Sequence, residues 1–184
     1  MSLKLNSSGG GSVTLQEPST ANNQTLTLPD NTGTLVSTAS TFAGTGPAFS
    51  AYRNGTQSIS SGTFTKIQFN VEEFDTNNCY DSTTNYRFTP NVAGYYQINS
   101  CFNEGPSTST TSASIGIFKN NSPFKYGSYI AAGSRMSVNV SSVVFCNGST
   151  DYIEIYAFIT AASAGIEGSS VANTYFNAAM VRAA

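Results

Sequence analysis

No histidine and no tryptophan occur in the 184 residues. The missing imidazole removes Ser-His-Asp and Cys-His catalysis, histidine-based zinc sites and pH sensing near neutrality. Charge is scarce too: Asp, Glu, Lys and Arg make up 10% of the chain, against roughly 25% in an average soluble domain. Eight basic and ten acidic side chains leave a net charge of −2, so no basic excess draws nucleic acid or an anionic membrane surface. No apolar run approaches the ~20 residues that cross a bilayer, and Met1-Ser2-Leu3-Lys4 lacks the hydrophobic core of a secretion signal. The few carboxylates are scattered, which leaves acid–base chemistry little material. The chain reads as a non-enzyme with no catalytic residues, no cofactor and no membrane insertion.

Cysteine is nearly absent as well. Cys79, Cys101 and Cys146 have no metal-ligand spacing, and an odd count makes a poor disulfide framework. Each lies beside an aromatic residue, as in Cys79-Tyr80 and Phe145-Cys146. They are either three unbridged core or near-core thiols of a reducing compartment, or one bridge and a spare thiol.

What is abundant is Ser, Thr, Asn and Gly, and their distribution divides the chain. Residues 1–46 carry a glycine-rich stretch, Asn6-Ser7-Ser8-Gly9-Gly10-Gly11-Ser12, expected to be a flexible hinge. Short period-2 segments follow, Val13-Thr14-Leu15 and Thr25-Leu26-Thr27-Leu28, closed by Pro29-Asp30-Asn31-Thr32-Gly33. Strands with so few large apolar residues cannot cover themselves, so this part is expected to be an extended or β stem ordered by neighbouring chains.

Residues 47–184 read as all-β, with turn signals at the spacing of a sandwich. Strands are expected over residues 48–53, 64–71, 86–89, 95–102, 113–119, 126–131, 136–146, 152–160 and 174–182. In the run Tyr152-Ile153-Glu154-Ile155-Tyr156-Ala157-Phe158-Ile159, alternation puts the aliphatic residues on the core face. It leaves Tyr156 and Phe158 outside, calling for a covering loop or neighbour. Pro90 cannot donate to a ladder and Gly94 permits a reversal, so residues 90–94 read as a tight connection. Beyond it Tyr96, Ile98, Ser100 and Phe102 take the core face.

Phe88-Thr89-Pro90-Asn91-Val92-Ala93-Gly94-Tyr95-Tyr96-Gln97-Ile98-Asn99 resembles the central motif of the complement globular-head family, which shares the tumour-necrosis-factor-like trimeric jelly roll. Phe69, Asp75 and Tyr80 upstream, and Asp151-Tyr152-Ile153-Glu154-Ile155-Tyr156 and Thr174-Tyr175-Phe176-Asn177 downstream, fall near the family's spacings. An extra residue between Tyr80 and Phe88, Ile98 where Phe is usual, and Ser100 in place of an aromatic depart from it. The resemblance implies a jelly-roll β-sandwich over residues 47–184 and a homotrimer. Tyr95, Gln97, Asn99 and Tyr175 would line the threefold axis, with Phe176 in the core. Gly11-Ser12-Val13-Thr14-Leu15 and Thr25 to Val36 resemble a segment of bacteriophage tail-fibre and other virion proteins. This implies a virion protein made in the host cytoplasm, whose stem binds other virion proteins.

Strand alternation sends residues 90–93, 120–125 and 147–150 to one end, and the longer connections 103–111, 132–135 and 161–173 to the other. Long loops on a rigid scaffold are where recognition concentrates. Asn103, Glu104, Ser107, Thr110, Arg135, Ile166, Glu167 and Ser169 are therefore the candidate receptor-facing residues, suited to a neutral, hydroxylated host-surface glycan or to a protein. A structural capsid or tail protein without receptor activity is the alternative. Glu72-Glu73-Phe74-Asp75 offers oxygens to calcium, which the family sometimes binds near its apex, or forms a solvated acidic turn. A polysaccharide depolymerase would have to rest on Glu72 or Glu154 with Asp75 or Asp151.

Overall fold

A computed structural model describes residues 2–6, 8–16, 46–107, 109–131, 135–168 and 173–184. The chain divides into two compact units, Met1–Leu35 and Val36–Ala184. In the first, β1 (Ser2–Asn6) and β2 (Ser12–Gln16) pair antiparallel, with Leu3 opposite Leu15 and Leu5 opposite Val13. Residues 8–11 of the glycine-rich stretch lie in the connection of this hairpin rather than in a hinge. Gly10, at φ +87°, supplies the left-handed backbone that lets β1 and β2 meet in register. The expected strand at 25–28 and turn at 29–33 lie outside the described residues.

The second unit is a sandwich built of β3 (Ala48–Tyr52), β4 (Gln57–Ser58), β5 (Thr65–Lys66), β6 (Val71–Asp75), β7 (Tyr80–Asp81), β8 (Arg87–Phe88), β9 (Ala93–Asn103), β10 (Ser112–Lys119), β11 (Ser122–Ala131), β12 (Ser137–Asn147), β13 (Ile153–Thr160), β14 (Gly165–Ile166) and β15 (Tyr175–Ala183). One sheet runs β12–β9–β15–β3–β6, the other β11–β10–β13–β8–β7 with β5 also on β13, and β14 pairs with β4. All pairings are antiparallel, and no helix occurs among the described residues. This is the all-β sandwich expected from the strand spacing, and the jelly roll that the resemblance implied.

Period-2 alternation accounts for the long strands. On β9 Tyr96, Ile98, Ser100 and Phe102 are buried while Tyr95, Gln97, Asn99 and Cys101 look outward. Between the sheets Phe49 stacks on Tyr80 and Phe88 at 4.6 and 4.8 Å and meets Phe176 edge-on at 4.8 Å. Each such buried ring stabilises the sandwich by ~1.5–3 kcal/mol.

The single strand expected over 64–71 is instead two pieces on different sheets. β5 pairs with β13, β6 pairs with β3, and the chain crosses between them while burying Ile67 and Phe69. The buried Gln57 side chain acts as a surrogate strand there, donating to Lys66 O at 2.8 Å and accepting from Gln68 N at 2.9 Å. The aromatic face of β13 needs no neighbouring chain for its first cover. Phe64 of the same chain lies 5.2 Å from both Phe158 and Tyr126, Phe118 stacks on Tyr156 at 4.0 Å, and Lys66 pairs with Glu154 beneath them.

At one end the connection read as 120–125 shrinks to two residues. Asn120 and Asn121 both adopt positive φ, +53° and +61°, and Ser122 already belongs to β11. Asn tolerates this geometry, which suits a right-twisted hairpin. Asp151 fastens the same end, bonding Lys119 and Asn120 side chains at 2.8 and 2.7 Å and Asn147 N at 3.0 Å.

Candidate functional site

At the opposite end the three longer connections converge on one another. Glu104 N donates to Met136 O, Gly105 N to Gly165 O and Glu167 N to Asn103 O, each at 2.8 Å. Glu104 also forms a bridge with Ile166, which pairs with Gln57 through β4 and β14. The Glu104 carboxylate is 2% exposed; it accepts from Ser107 and Thr110 hydroxyls and from Met136 N at 3.2 Å. No Lys or Arg pairs with it among the described residues. A buried carboxylate is tolerable only with such donors, so Glu104 ties three loops into one brace.

This corrects three of the candidate receptor-facing residues. Glu104, Thr110 and Ile166 are buried, at 2%, 9% and 0% exposure, and hold the loops from within. Asn103 is half-buried, and its backbone accepts from Glu167 N and donates to Thr174 Oγ1. Ser107 and Glu167 are half-buried beside the brace, and Ser169 lies outside the described residues. Arg135 is exposed at φ +56°. In the other two connections Pro106, Ser109, Thr111, Ala162 and Ser163 also reach solvent. One signal for the brace was available: Ile166 is the lone large aliphatic residue between Thr160 and Val171, a mark of burial rather than display.

The four residues assigned to a threefold axis do share one face. Tyr95, Gln97, Asn99 and Tyr175 lie on the outward side of the five-stranded sheet. Amides and hydroxyls bond across its middle: Gln97 donates to Ser141 at 2.8 Å, Ser141 to Asn99 at 2.9 Å and Asn99 to Asn177 at 3.1 Å. Toward the Asp151 end the face turns apolar. Tyr95, Val143, Phe145 and Val181 are 43%, 50%, 41% and 58% exposed, with Tyr95 and Phe145 rings 5.4 Å apart. Across the sheet a groove of about 260 Å³ opens between exposed Phe74 and the small residues Ala48, Ser50 and Ala179. Sequence reasoning missed Val143 and Phe145. Their signal was the run Val143-Val144-Phe145-Cys146, apolar on both faces of one strand.

Glu72-Glu73-Phe74-Asp75 is a strand, β6, and not an acidic turn. Its carboxylates part: Glu72 accepts from Ser82 Oγ at 2.6 Å, Glu73 from Ser50 Oγ at 2.7 Å, and Asp75 from Tyr80 N at 2.7 Å. Among the described residues no three Cys, Asp or Glu side chains converge to hold a calcium or other metal ion. Glu154 is committed to Lys66 and Asp151 to Lys119, so neither joins Glu72 or Asp75. The cysteines are all free. Burial raises the Cys79 thiol and pushes Cys146 up to about 11, which keeps both protonated and poor as nucleophiles at neutral pH.

No family model and no curated protein sequence matches the chain. Solved structures match it in fold. The globular domain of zebrafish complement 1qA has 19% identity and a TM-score of 0.54, covering 76% of this chain and 99% of that one. Murine APRIL has 11% identity and a TM-score of 0.57 over 73% of this chain and 98% of its own. PRD1 vertex protein P5 has 17% identity and a TM-score of 0.51 over 76% of this chain and 99% of its own. The chain therefore carries the complement-head and tumour-necrosis-factor-like jelly roll, as its central motif implied.

Proposed function

We propose that this chain is a non-enzymatic virion fibre protein whose jelly-roll head, residues 47–184, assembles as a homotrimer and binds a host-surface ligand. Residues 1–46 are its stem and the attachment to other virion proteins. The single observation carrying the trimer is the outward face of the five-stranded sheet. Tyr95, Val143, Phe145 and Val181 form an apolar edge there, and Phe74 borders a groove floored by small residues on the other edge. An edge that projects and an edge that recedes on one face suit a head-to-tail contact that closes into a ring. Tyr95, Gln97, Asn99 and Tyr175 then face the axis.

The receptor surface is the solvent side of the braced end. Among the described residues its exposed groups other than Arg135 are uncharged, and Ser109, Thr111 and Ser163 carry hydroxyls, which favours hydrogen bonding to a neutral glycan. Three copies of a weak site on one trimer gain affinity through multivalency. The likeness to PRD1 vertex protein P5 supports a virion setting, and it also favours the second reading, a capsid or vertex component with an inert apex.

Sedimentation velocity of the full chain is expected to give a trimer, and labelled trimer to adsorb to cells of its bacterial host. The combined variant Ser109→Ala, Arg135→Ala, Ser163→Ala is expected to remain trimeric and lose adsorption. Unchanged adsorption would place the receptor site elsewhere, and no adsorption by the parental trimer would favour the structural component.

A further inference from the structure

Away from the braced end, a cleft of about 600 Å³ lies where the edge of one sheet meets the edge of the other. That volume is within the range of small-ligand sites. Glu72 on β6 forms one wall; Asn78, Ser82, Thr83, Arg87 and Thr89, on and around β7 and β8, line the rest.

A backbone irregularity aims Glu72 into it. The β3–β6 register shifts between Ser50 and Ala51, so that Ser50 opposes Phe74 and Ala51 opposes Glu72. Glu73 is the extra residue of this bulge. Phe74 consequently takes the outward face with Ser50, and Glu72 turns to the side of buried Ala51, toward the other sheet. Ser82 Oγ, at 2.6 Å, fixes one carboxylate oxygen of Glu72, leaving the other for a ligand.

The opposing wall is held rigid. Asp81 accepts from Thr83 N, Thr84 N and Asn85 N at 2.9–3.1 Å, and from the Asn85 amide at 2.7 Å. With both its oxygens occupied, Asp81 does not pair with Arg87, its direct neighbour across β7 and β8. The Arg87 guanidinium lies 4.4 Å above the Tyr152 ring and has no carboxylate partner among the described residues. Asn78 and Tyr86 hold φ of +53° and +51° beside the cleft. For a residue as bulky as Tyr86 this is a costly conformation, of the kind that gathers at binding sites.

We infer that this lateral cleft binds a neutral saccharide unit. Glu72 accepts from ring hydroxyls, Arg87 donates to ring or glycosidic oxygens, and Asn78, Ser82, Thr83 and Thr89 complete the polar shell. One Glu72 oxygen is left open, Arg87 has no carboxylate partner among the described residues, and Asp81 adds a second carboxylate to the lining, so the cleft offers both an acceptor and a donor while its net charge is negative. A neutral, hydroxyl-rich ring satisfies both signs, whereas a uronic or sialic acid would bring its charge against Glu72. This site is separate from the braced end, and the inference does not need that end to bind anything.

The test is an array of neutral gluco-, galacto- and manno-configured oligosaccharides, with uronic and sialic acid glycans alongside, probed with labelled full-length protein. Retention of neutral glycans is expected, weakened about tenfold or more by Glu72→Gln and by Arg87→Gln, the loss of one charge-assisted hydrogen bond. Glu72→Gln is expected to keep the parental melting temperature, since its side-chain carbonyl can still accept from Ser82, and Arg87→Gln, which gives up the contact with the Tyr152 ring, to stay folded with parental circular dichroism. The Ser109, Arg135, Ser163 variant is expected to bind the array as the parent does. No retention, retention of acidic glycans only, or binding unchanged in both cleft variants would overturn the site. Loss in the braced-end variant alone would overturn it while supporting the apical receptor.

Discussion

Glu104 shows how one side chain changes the meaning of a loop. By composition, residues 103–111 are a polar surface connection, and Glu104 is the kind of residue a receptor would meet. Its carboxylate instead satisfies two hydroxyls and a backbone N–H from the adjoining connection, at 2% exposure. Glu104→Ala removes the acceptor and leaves the Met136 N–H and the Thr110 hydroxyl without their partner. Each orphaned buried donor costs roughly 1–3 kcal/mol. The variant is expected to lose about 2 kcal/mol or more of stability, read as a lower midpoint in urea unfolding. A midpoint within experimental error of the parent would mean that the brace is not structural.

At the scale of elements, what was legible followed from periodicity. β9, β12, β13 and β15 have the length and alternation that declare a strand, β10 is a run buried on both faces, and the expected spans differ from all five by two residues or fewer. β4, β7 and β14 are two residues each, too short for alternation to exist, and β14 carries Ile166, one of the residues read as receptor-facing. β6 was hidden differently. Its bulge puts Glu72 and Phe74 on opposite faces, so the period-2 signature is broken within five residues. The β7–β8 connection owes its form to Asp81. Backbone N–H groups, that of Thr84 foremost, hold this carboxyl far below the usual carboxylate range. Because the folded pKa is depressed, the stabilisation is complete above the unfolded value near ~4. It declines as pH falls below that value, until the folded carboxylate itself protonates. Urea midpoints of the parent and Asp81→Asn, compared at pH 6 and pH 3, are expected to lie farther apart at pH 6. An equal gap at both values would remove Asp81 from the acid response.

For the whole molecule the decisive feature is a sheet face finished in the middle and unfinished at its edges. Gln97, Asn99, Ser141 and Asn177 satisfy one another across the centre, while Tyr95, Val143, Phe145 and Val181 have no cover from the described residues to match their exposure. A polar centre gives little drive to associate, but it penalises misregistered contacts. In the proposed trimer the apolar edge would supply the drive, at roughly 25 cal/mol per Å² buried. Phe145 tests this without threatening the fold. Its ring is 41% exposed and its nearest aromatic neighbour is Tyr95, with Lys119 Nζ 5.7 Å from its centroid. Phe145→Asp would place a carboxylate in the proposed seam, where burying a charge costs several kcal/mol. The variant is expected to sediment as a folded single subunit with parental circular dichroism, at concentrations where the parent is expected to be a trimer. If Phe145→Asp sediments with the parent, the copies meet through another surface, and Tyr95, Gln97, Asn99 and Tyr175 do not face a common axis.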